Sequence, residues 1–119
     1  MKEFVMIFRN SASMDQAAPS PEQMQQVMTA WMAWMTRIEE GGNMAQRGSR
    51  LGTQGAQVLR PGGVITDGPF TEIKEFINGY TILKTNTIEE AVEIAGGCPA
   101  LQIGGSVEVR PVVAADDHS

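Results

Sequence analysis

The alternation of large apolar residues predicts a strand at the start of the chain. Residues 2–9 place three apolar side chains on one face of an extended chain and two on the other: Phe4, Met6 and Phe8, opposite Val5 and Ile7. A strand that is apolar on both faces is typical of the middle of a sheet with both faces covered. We therefore expect this strand to be central.

The next periodic segment predicts a long helix. Ser20 suits the N-cap, Pro21 suits the first helical position, and Gln23 completes a capping box. Gly41 and Gly42 end the helical pattern. Apolar residues recur between these limits at helical spacing and form the predicted core stripe: Met24, Val27, Met28, Trp31, Met32, Met35 and Ile38.

The second half of the chain predicts short strands and one more helix. We expect a strand near residues 44–50, then a hairpin turning at Pro61-Gly62-Gly63. Thr87 is the expected N-cap of the second helix, with Glu90 at the capping-box position. The expected elements are hairpin strands Gln57 to Arg60 and Val64 to Asp67, a strand Tyr80 to Thr85, the helix Ile88 to Ala95 and a strand Ser106 to Val113.

The order of these elements predicts an α+β fold. Strand, helix, two or three strands, helix and strand is the ferredoxin-like βαββαβ order with an extra β-hairpin. We expect one domain over residues 1–113, with both helices on one sheet face, and a disordered acidic tail over residues 114–119. The other sheet face would then be an exposed apolar patch. We therefore predict a homodimer paired through that sheet face.

Composition excludes several classes of protein. Nine Lys and Arg residues against fourteen Asp and Glu give a net charge of −5, which disfavours nucleic-acid binding. No segment approaches the length of a membrane span, and residues 4–8 are too short for a secretory signal, so we expect a cytoplasmic protein with no membrane partner. The single cysteine, Cys98, excludes an internal disulfide. With one histidine, His118, we expect no metal site and no cofactor.

One segment carries a recognisable motif, whereas nucleotide-binding, zinc-protease and serine-hydrolase signatures are absent. Residues 64–80 contain a Thr-Asp-Gly-Pro-Phe turn (Thr66 to Phe70), then Glu-Ile-Lys-Glu (Glu72 to Glu75) and Gly79-Tyr80, and Val107 to Pro111 read Val-Glu-Val-Arg-Pro. These residues resemble the YCII-related proteins, specifically the branch named for its Asp-Gly-Pro-Phe (DGPF) motif. The resemblance implies a ferredoxin-like subunit of a dimeric α+β barrel. Some YCII-like relatives carry a proposed His-Asp active site, and this chain lacks the histidine outside its tail.

Several polar residues are candidates for a site. Asp67, Glu72 and Tyr80 are the candidate proton-transfer groups, although Asp67 also suits a structural role as acceptor of its own turn's N–H groups. Glu108 and Arg110 share one face of the last strand, where we expect them either to form an interfacial salt bridge or to line a cleft. The candidate ligand-binding residues are Trp34, Arg47, Asp67, Glu72, Lys74, Glu75 and Arg110.

Three functional interpretations stay open from the sequence. The first is a dimer that binds a small molecule in a cleft between sheet and helices. The second is a cofactor-free enzyme that transfers protons through Asp67, Glu72 or Tyr80. The third is a protein-interaction module, because the resemblance implies an association with alternative sigma factors. The first requires only a pocket, and the sequence favours it on that ground.

Overall fold

The computed structural model describes residues 1–11, 20–52, 55–67 and 75–113. These residues form six strands, two α-helices and one short 3₁₀ helix. In chain order the elements are β1 (Lys2–Ser11), α1 (Pro21–Glu40), β2 (Met44–Gln46), β3 (Gln57–Arg60), β4 (Val64–Asp67), β5 (Glu75–Thr85), α2 (Ile88–Ala95), the 3₁₀ helix (Pro99–Ile103) and β6 (Ser106–Pro111). The predicted combination of two helices with strands is confirmed.

Four strands form one antiparallel sheet in the order β2-β5-β1-β6. If the hairpin β3–β4 is set aside, this is the strand order of a ferredoxin-like chain, so the fold is compatible with the prediction. The strand β1 lies between β5 and β6, with Val5 opposite both Ile82 and Arg110. The predicted central position of the first strand is therefore confirmed.

The core lies against one face of β1 and β5. Met6 and Leu83 point to this face, since alternate residues of an extended chain point the same way. Both side chains are completely buried. Aromatic rings join this face to α1, since the Phe8 ring lies 4.8 Å from Trp31 and 6.1 Å from Trp34. The buried apolar cluster comprises Phe4, Met6, Phe8, Trp34, Met35, Ile38, Leu83, Ala91, Ala95, Cys98 and Ala100.

The two helices begin where the sequence predicts, with one difference in capping. At α1, Ser20 Oγ accepts from the Gln23 N–H at 3.2 Å and the Gln23 side chain accepts from the Ser20 N–H at 2.9 Å, which confirms the capping box. At α2, Thr87 Oγ1 accepts from the Glu90 N–H, but the Glu90 carboxylate accepts from the Asn86 N–H instead of that of Thr87. The second capping box is therefore incomplete.

The predicted core stripe of α1 is wrong for three of its seven residues, Met24, Met28 and Met32. All three buried residues of α1 lie in its second half, and one of them is Trp34, which the stripe omitted. Met24, Met28 and Met32 are 37–55% exposed. The periodic pattern identified an apolar helix face correctly, but of its residues only Trp31, Met35 and Ile38 belong to the core or pack against it.

Some strand limits also differ from those predicted. Strand β5 begins at Glu75, five residues before Tyr80, because β1 continues to Ser11 and pairs with it. Strand β2 ends at Gln46, although Ser49 and Leu51 still form backbone hydrogen bonds with β5. The 3₁₀ helix was not predicted. Residues 114–119 lie outside the described residues, so the single domain and its tail stay predictions.

Candidate functional site

A second sheet face lies opposite the core. We define it by Val5, Ile7 and Arg9 of β1, Tyr80 and Ile82 of β5, and Glu108 and Arg110 of β6, which the strand register places on one side. Its apolar residues are half-buried, whereas Met6 and Leu83 on the core face are completely buried.

Three charged side chains form a connected group on the second sheet face. Arg9 on β1 donates to Glu108 Oε1 on β6 through Nη2 at 2.8 Å and through Nε at 3.2 Å. The other carboxylate oxygen of Glu108 lies 3.8 Å from Arg110 Nε. Two guanidinium groups therefore share one carboxylate, and the group carries a net positive charge. Arg110 is the more exposed of the two cations, with 66% of its side chain accessible against 27% for Arg9.

Sequence reasoning missed Arg9 as a member of this group. A signal was present, because alternation along β1 places Arg9 on the same side as Val5 and Ile7. The ferredoxin-like order also places the last strand beside the first, which brings Glu108 opposite Ile7. For Glu108 and Arg110, the pairing on one face agrees with the expectation from the sequence.

Tyr80 is half-buried on the second sheet face, and its position depends on Gly48. Gly48 has a φ of +76°, and a Cβ at this position would collide with the Tyr80 carbonyl oxygen. Only glycine combines that backbone conformation with so close an approach. The segment is fixed further by Thr81 Oγ1, which donates to the Arg47 carbonyl at 2.9 Å. The hydroxyl-bearing ring of Tyr80 therefore lies next to a tightly held loop.

Two predicted ligand-binding residues lie away from the second sheet face. Arg47 Nη1 donates to Glu39 Oε1 of α1 at 2.7 Å, and Nη2 lies 3.9 Å from the sulfur of Met32. Trp34 is 3% exposed and its Nε1 donates to the Ile94 carbonyl at 3.1 Å. The indole is part of the core, so the structure does not bring Trp34 or Arg47 together with Arg110.

The remaining candidates lie at or beyond the limits of the described residues. The Asp67 backbone ends β4 opposite Gln57, and Glu75 begins β5 opposite Ser11. Glu72 and Lys74 lie outside the described residues, as do Gly68, Pro69 and Phe70 of the motif. Of the three proton-transfer candidates, Tyr80 is the one whose side chain is described, and the roles of Asp67 and Glu72 stay predictions.

Three further features bear on function. Cys98 is a buried free thiol, and burial raises its pKa, an effect partly opposed by backbone hydrogen bonds from Ala100 and Leu101. Within the described ranges, no group of three or more His, Cys, Asp or Glu side chains is placed to hold a metal ion. None of the described helices has the length and apolar character needed to cross a membrane.

Comparison with known sequences identifies the family. The fold and the second sheet face define a small α+β protein with an antiparallel sheet. The profile of the YCII-related domain matches residues 3–116, so the chain belongs to the YCII-related family. An uncharacterised protein of Rhizobium meliloti (strain 1021) is 30% identical over 100 residues, which is 81% of each chain. This membership confirms the family part of the resemblance seen in the sequence.

Proposed function

We propose that the protein is a homodimer paired through the second sheet face, and that it binds a small anionic molecule with an apolar body there. The observation that carries the proposal is the group formed by Arg9, Glu108 and Arg110 beside the apolar residues of that face. Two sheets packed in this way would form the dimeric α+β barrel that the resemblance implies, with the helices of each copy outside.

The apolar character of the second sheet face supports the dimer. Val5 and Ile7 of β1 lie next to Ile82 and Tyr80 of β5, and all four are half-buried in a single chain. Burying such side chains releases about 25 cal/mol for each Å² of apolar surface removed from water. A second copy supplies a matching apolar face, because a twofold interface is complementary to itself.

The charges support the type of ligand. The protein as a whole carries a charge of −5, yet this group has two guanidiniums for one carboxylate. Arg110 is the more exposed cation, and a guanidinium binds a carboxylate through two parallel hydrogen bonds. We place the ligand here and not between sheet and helices because Met6 and Leu83, on the core face, are completely buried.

The motif and the lone thiol support two further parts of the proposal. Thr66 to Phe70 match the Asp-Gly-Pro-Phe motif, which supports membership of the DGPF branch. A single buried, unpaired Cys98 suits the reducing conditions of the cytoplasm, where we propose that the protein works.

The dimer is tested by mass and by one substitution. Light scattering at micromolar concentration is expected to give about twice the 12.9 kDa chain mass. Ile82→Lys introduces a charge into the second sheet face and is expected to give a folded monomer by circular dichroism and scattering. Val92→Lys, at a 53% exposed position of α2, is the control and should stay dimeric. A monomeric wild-type chain at all concentrations rejects the dimer.

Ligand binding is tested with matched charged and neutral probes. Benzoate and octanoate are expected to raise the melting temperature of the wild-type protein, because a ligand that binds the native state stabilises it. Benzamide has the same ring without the charge and is expected to have no effect. Arg110→Gln is expected to abolish the carboxylate effect. A shift that persists in Arg110→Gln, or no shift with either carboxylate, rejects anion binding at Arg110.

A further inference from the structure

Tyr80 adds a second polar group to the sheet face that carries Arg110. The strand register places Tyr80 opposite Ile7, on the side of the sheet where Glu108 and Arg110 lie. Its ring is half-buried, and no residue in the described part of the chain forms a hydrogen bond with its hydroxyl. A phenolic hydroxyl can both donate and accept a hydrogen bond, so this group is suited to recognise a polar end of a ligand.

The backbone of Tyr80 is held by the loop that contains Gly48. The Tyr80 N–H donates to the Ser49 carbonyl at 3.2 Å, and the Tyr80 carbonyl packs against Gly48, where a Cβ would collide with it. Gly79 allows a similar approach, because a Cβ there would lie 2.8 Å from the Ser49 carbonyl oxygen. Rigid elements position the side chains of a binding site more precisely than loops do, and Tyr80 lies on such an element.

A strip of shorter apolar side chains separates Tyr80 from Arg110. Two rows of paired residues cross the second sheet face from β5 through β1 to β6: Tyr80, Ile7 and Glu108, then Ile82, Val5 and Arg110. Val5 and Ile7 are thus in the middle of the face. Side chains stand roughly perpendicular to a sheet, so the longer side chains of Tyr80 and Arg110 rise on either side of this strip. An apolar body on the strip has a phenol at one end and a cation at the other.

The register also sets the distance between these two ends. Neighbouring strands are about 4.8 Å apart, so β5 and β6 lie about 10 Å apart across β1. Tyr80 and Arg110 are offset by two residues along the strands, about 6.7 Å, which separates their backbones by about 12 Å. Arg110 Nε lies 3.8 Å from Glu108 Oε2, a contact that brings the guanidinium toward the row of Tyr80. The two polar ends are therefore about 10–12 Å apart.

We propose that the ligand is a ring carboxylate with a hydroxyl opposite its carboxylate, which binds Arg110 through the carboxylate and the Tyr80 hydroxyl through its own hydroxyl. The inference rests on the proposed anion site and adds Tyr80 to it as a specificity-determining residue. A six-membered ring with these substituents is about 6 Å long, and a hydrogen bond of about 2.8 Å at each end extends the span to about 12 Å. This length matches the separation of the two protein groups.

Ring carboxylates that differ at one position test the assignment by titration calorimetry. 4-Hydroxybenzoate carries the hydroxyl opposite the carboxylate, 4-methylbenzoate has a group of similar size there that forms no hydrogen bond, and 3-hydroxybenzoate has its hydroxyl off the line between Tyr80 and Arg110. We expect 4-hydroxybenzoate to bind the wild-type protein about fivefold more tightly than either of the others, the gain from one ordinary hydrogen bond.

A variant without the hydroxyl shows whether Tyr80 causes this preference. Tyr80→Phe keeps the ring, and we expect it to bind 4-hydroxybenzoate no more tightly than 4-methylbenzoate. Val92→Ala, at a 53% exposed position of α2, is the control and should keep the full preference. Circular dichroism checks that both variants are folded.

A measurement on the wild-type protein gives the same test without a substitution. Tyr80 is the single tyrosine, so protein made with isotope-labelled tyrosine gives one set of ring signals in nuclear magnetic resonance. These signals should move more on binding 4-hydroxybenzoate than on binding 4-methylbenzoate. Equal movement with both ligands contradicts a hydrogen bond to the Tyr80 hydroxyl.

The outcomes separate this inference from the anion site on which it rests. If benzoate binds the wild type and not Arg110→Gln, but the opposite hydroxyl gives no gain, the Tyr80 contact is wrong and the anion site stands. A gain that persists in Tyr80→Phe also overturns the inference, because the hydroxyl is then recognised elsewhere. If the gain requires Tyr80 but carboxylates still bind Arg110→Gln, the Tyr80 contact stands and the assignment of the anion to Arg110 fails. No binding of any of these carboxylates rejects both.

Discussion

The indole Nε1 of Trp34 donates to the carbonyl of Ile94 at 3.1 Å, a contact between residues 60 positions apart that joins α1 to α2. The ring is 3% exposed and lies edge-on to Phe8 and Trp31. One side chain thus connects both helices to β1. The contact accounts for the burial of Trp34, which the predicted stripe omitted, whereas Met24, Met28 and Met32 of that stripe are exposed.

Replacing Trp34 tests this connection. Trp34→Phe is expected to lower the free energy of unfolding by about 2–3 kcal/mol, because it removes a hydrogen bond and leaves unfilled volume in the core. Trp31→Phe, at a half-buried ring with no such bond, is the control and should cost about 1 kcal/mol or less. Urea unfolding measures both. Equal losses for the two variants would contradict the structural role of the Trp34 contact.

Gly48 is expected to tolerate substitution less well than Gly42, a glycine with nearly the same backbone conformation and no close neighbour. Gly48→Ala should cost about 3 kcal/mol or more, because its Cβ would collide with the Tyr80 carbonyl oxygen. Gly42 has nearly the same φ, +77°, but nothing within 4 Å of a built Cβ. Gly42→Ala should therefore cost only the backbone strain, about 1 kcal/mol. Denaturant unfolding of the pair separates collision from strain, and similar costs would contradict the close approach to Tyr80.

The Arg9–Glu108 ion pair is expected to stabilise the fold modestly. A double-mutant cycle with Arg9→Ala and Glu108→Ala should give a coupling free energy of about 0.5–1 kcal/mol. Arg47 and Glu39 form a comparison pair of similar length, 2.7 Å against 2.8 Å, with more exposed side chains. Their coupling should be smaller, since water screens exposed charges more strongly. A larger coupling free energy for Arg47 and Glu39 than for Arg9 and Glu108 would contradict the prediction that the less exposed pair interacts more strongly.

The buried thiol of Cys98 predicts a dependence of stability on alkaline pH. Burial raises the pKa of the thiol in the folded state. The neutral thiol therefore contributes its full amount to the free energy of unfolding below the ordinary cysteine pKa of about 8.5. That contribution is lost as pH rises through the raised pKa of the folded state. The free energy of unfolding should therefore fall more steeply above about pH 8.5 in the wild type than in Cys98→Ala. Unfolding curves at several pH values measure both slopes, and parallel slopes would show that Cys98 is not the cause.

The sequence by itself determined the elements whose signals are local. The α1 capping box at Ser20 and Gln23 and the hairpin about Pro61-Gly62-Gly63 are set by neighbouring residues, and their limits agree with the structure. The two-sided apolar pattern of β1 also identified the central strand. The motif at Thr66 to Phe70 led to the YCII-related family, which the comparison confirms.

Only the tertiary structure decided which side chains meet across the fold. Periodicity grouped Met24, Met28 and Met32 with the core, but burial depends on how far the sheet extends beneath a helix, and that length is not encoded in the helix itself. The pairing of Arg9 with Glu108 likewise joins residues 99 positions apart, through the neighbouring positions of β1 and β6. Local patterns fix backbone conformation, whereas such contacts arise from chain topology, which places distant residues in register.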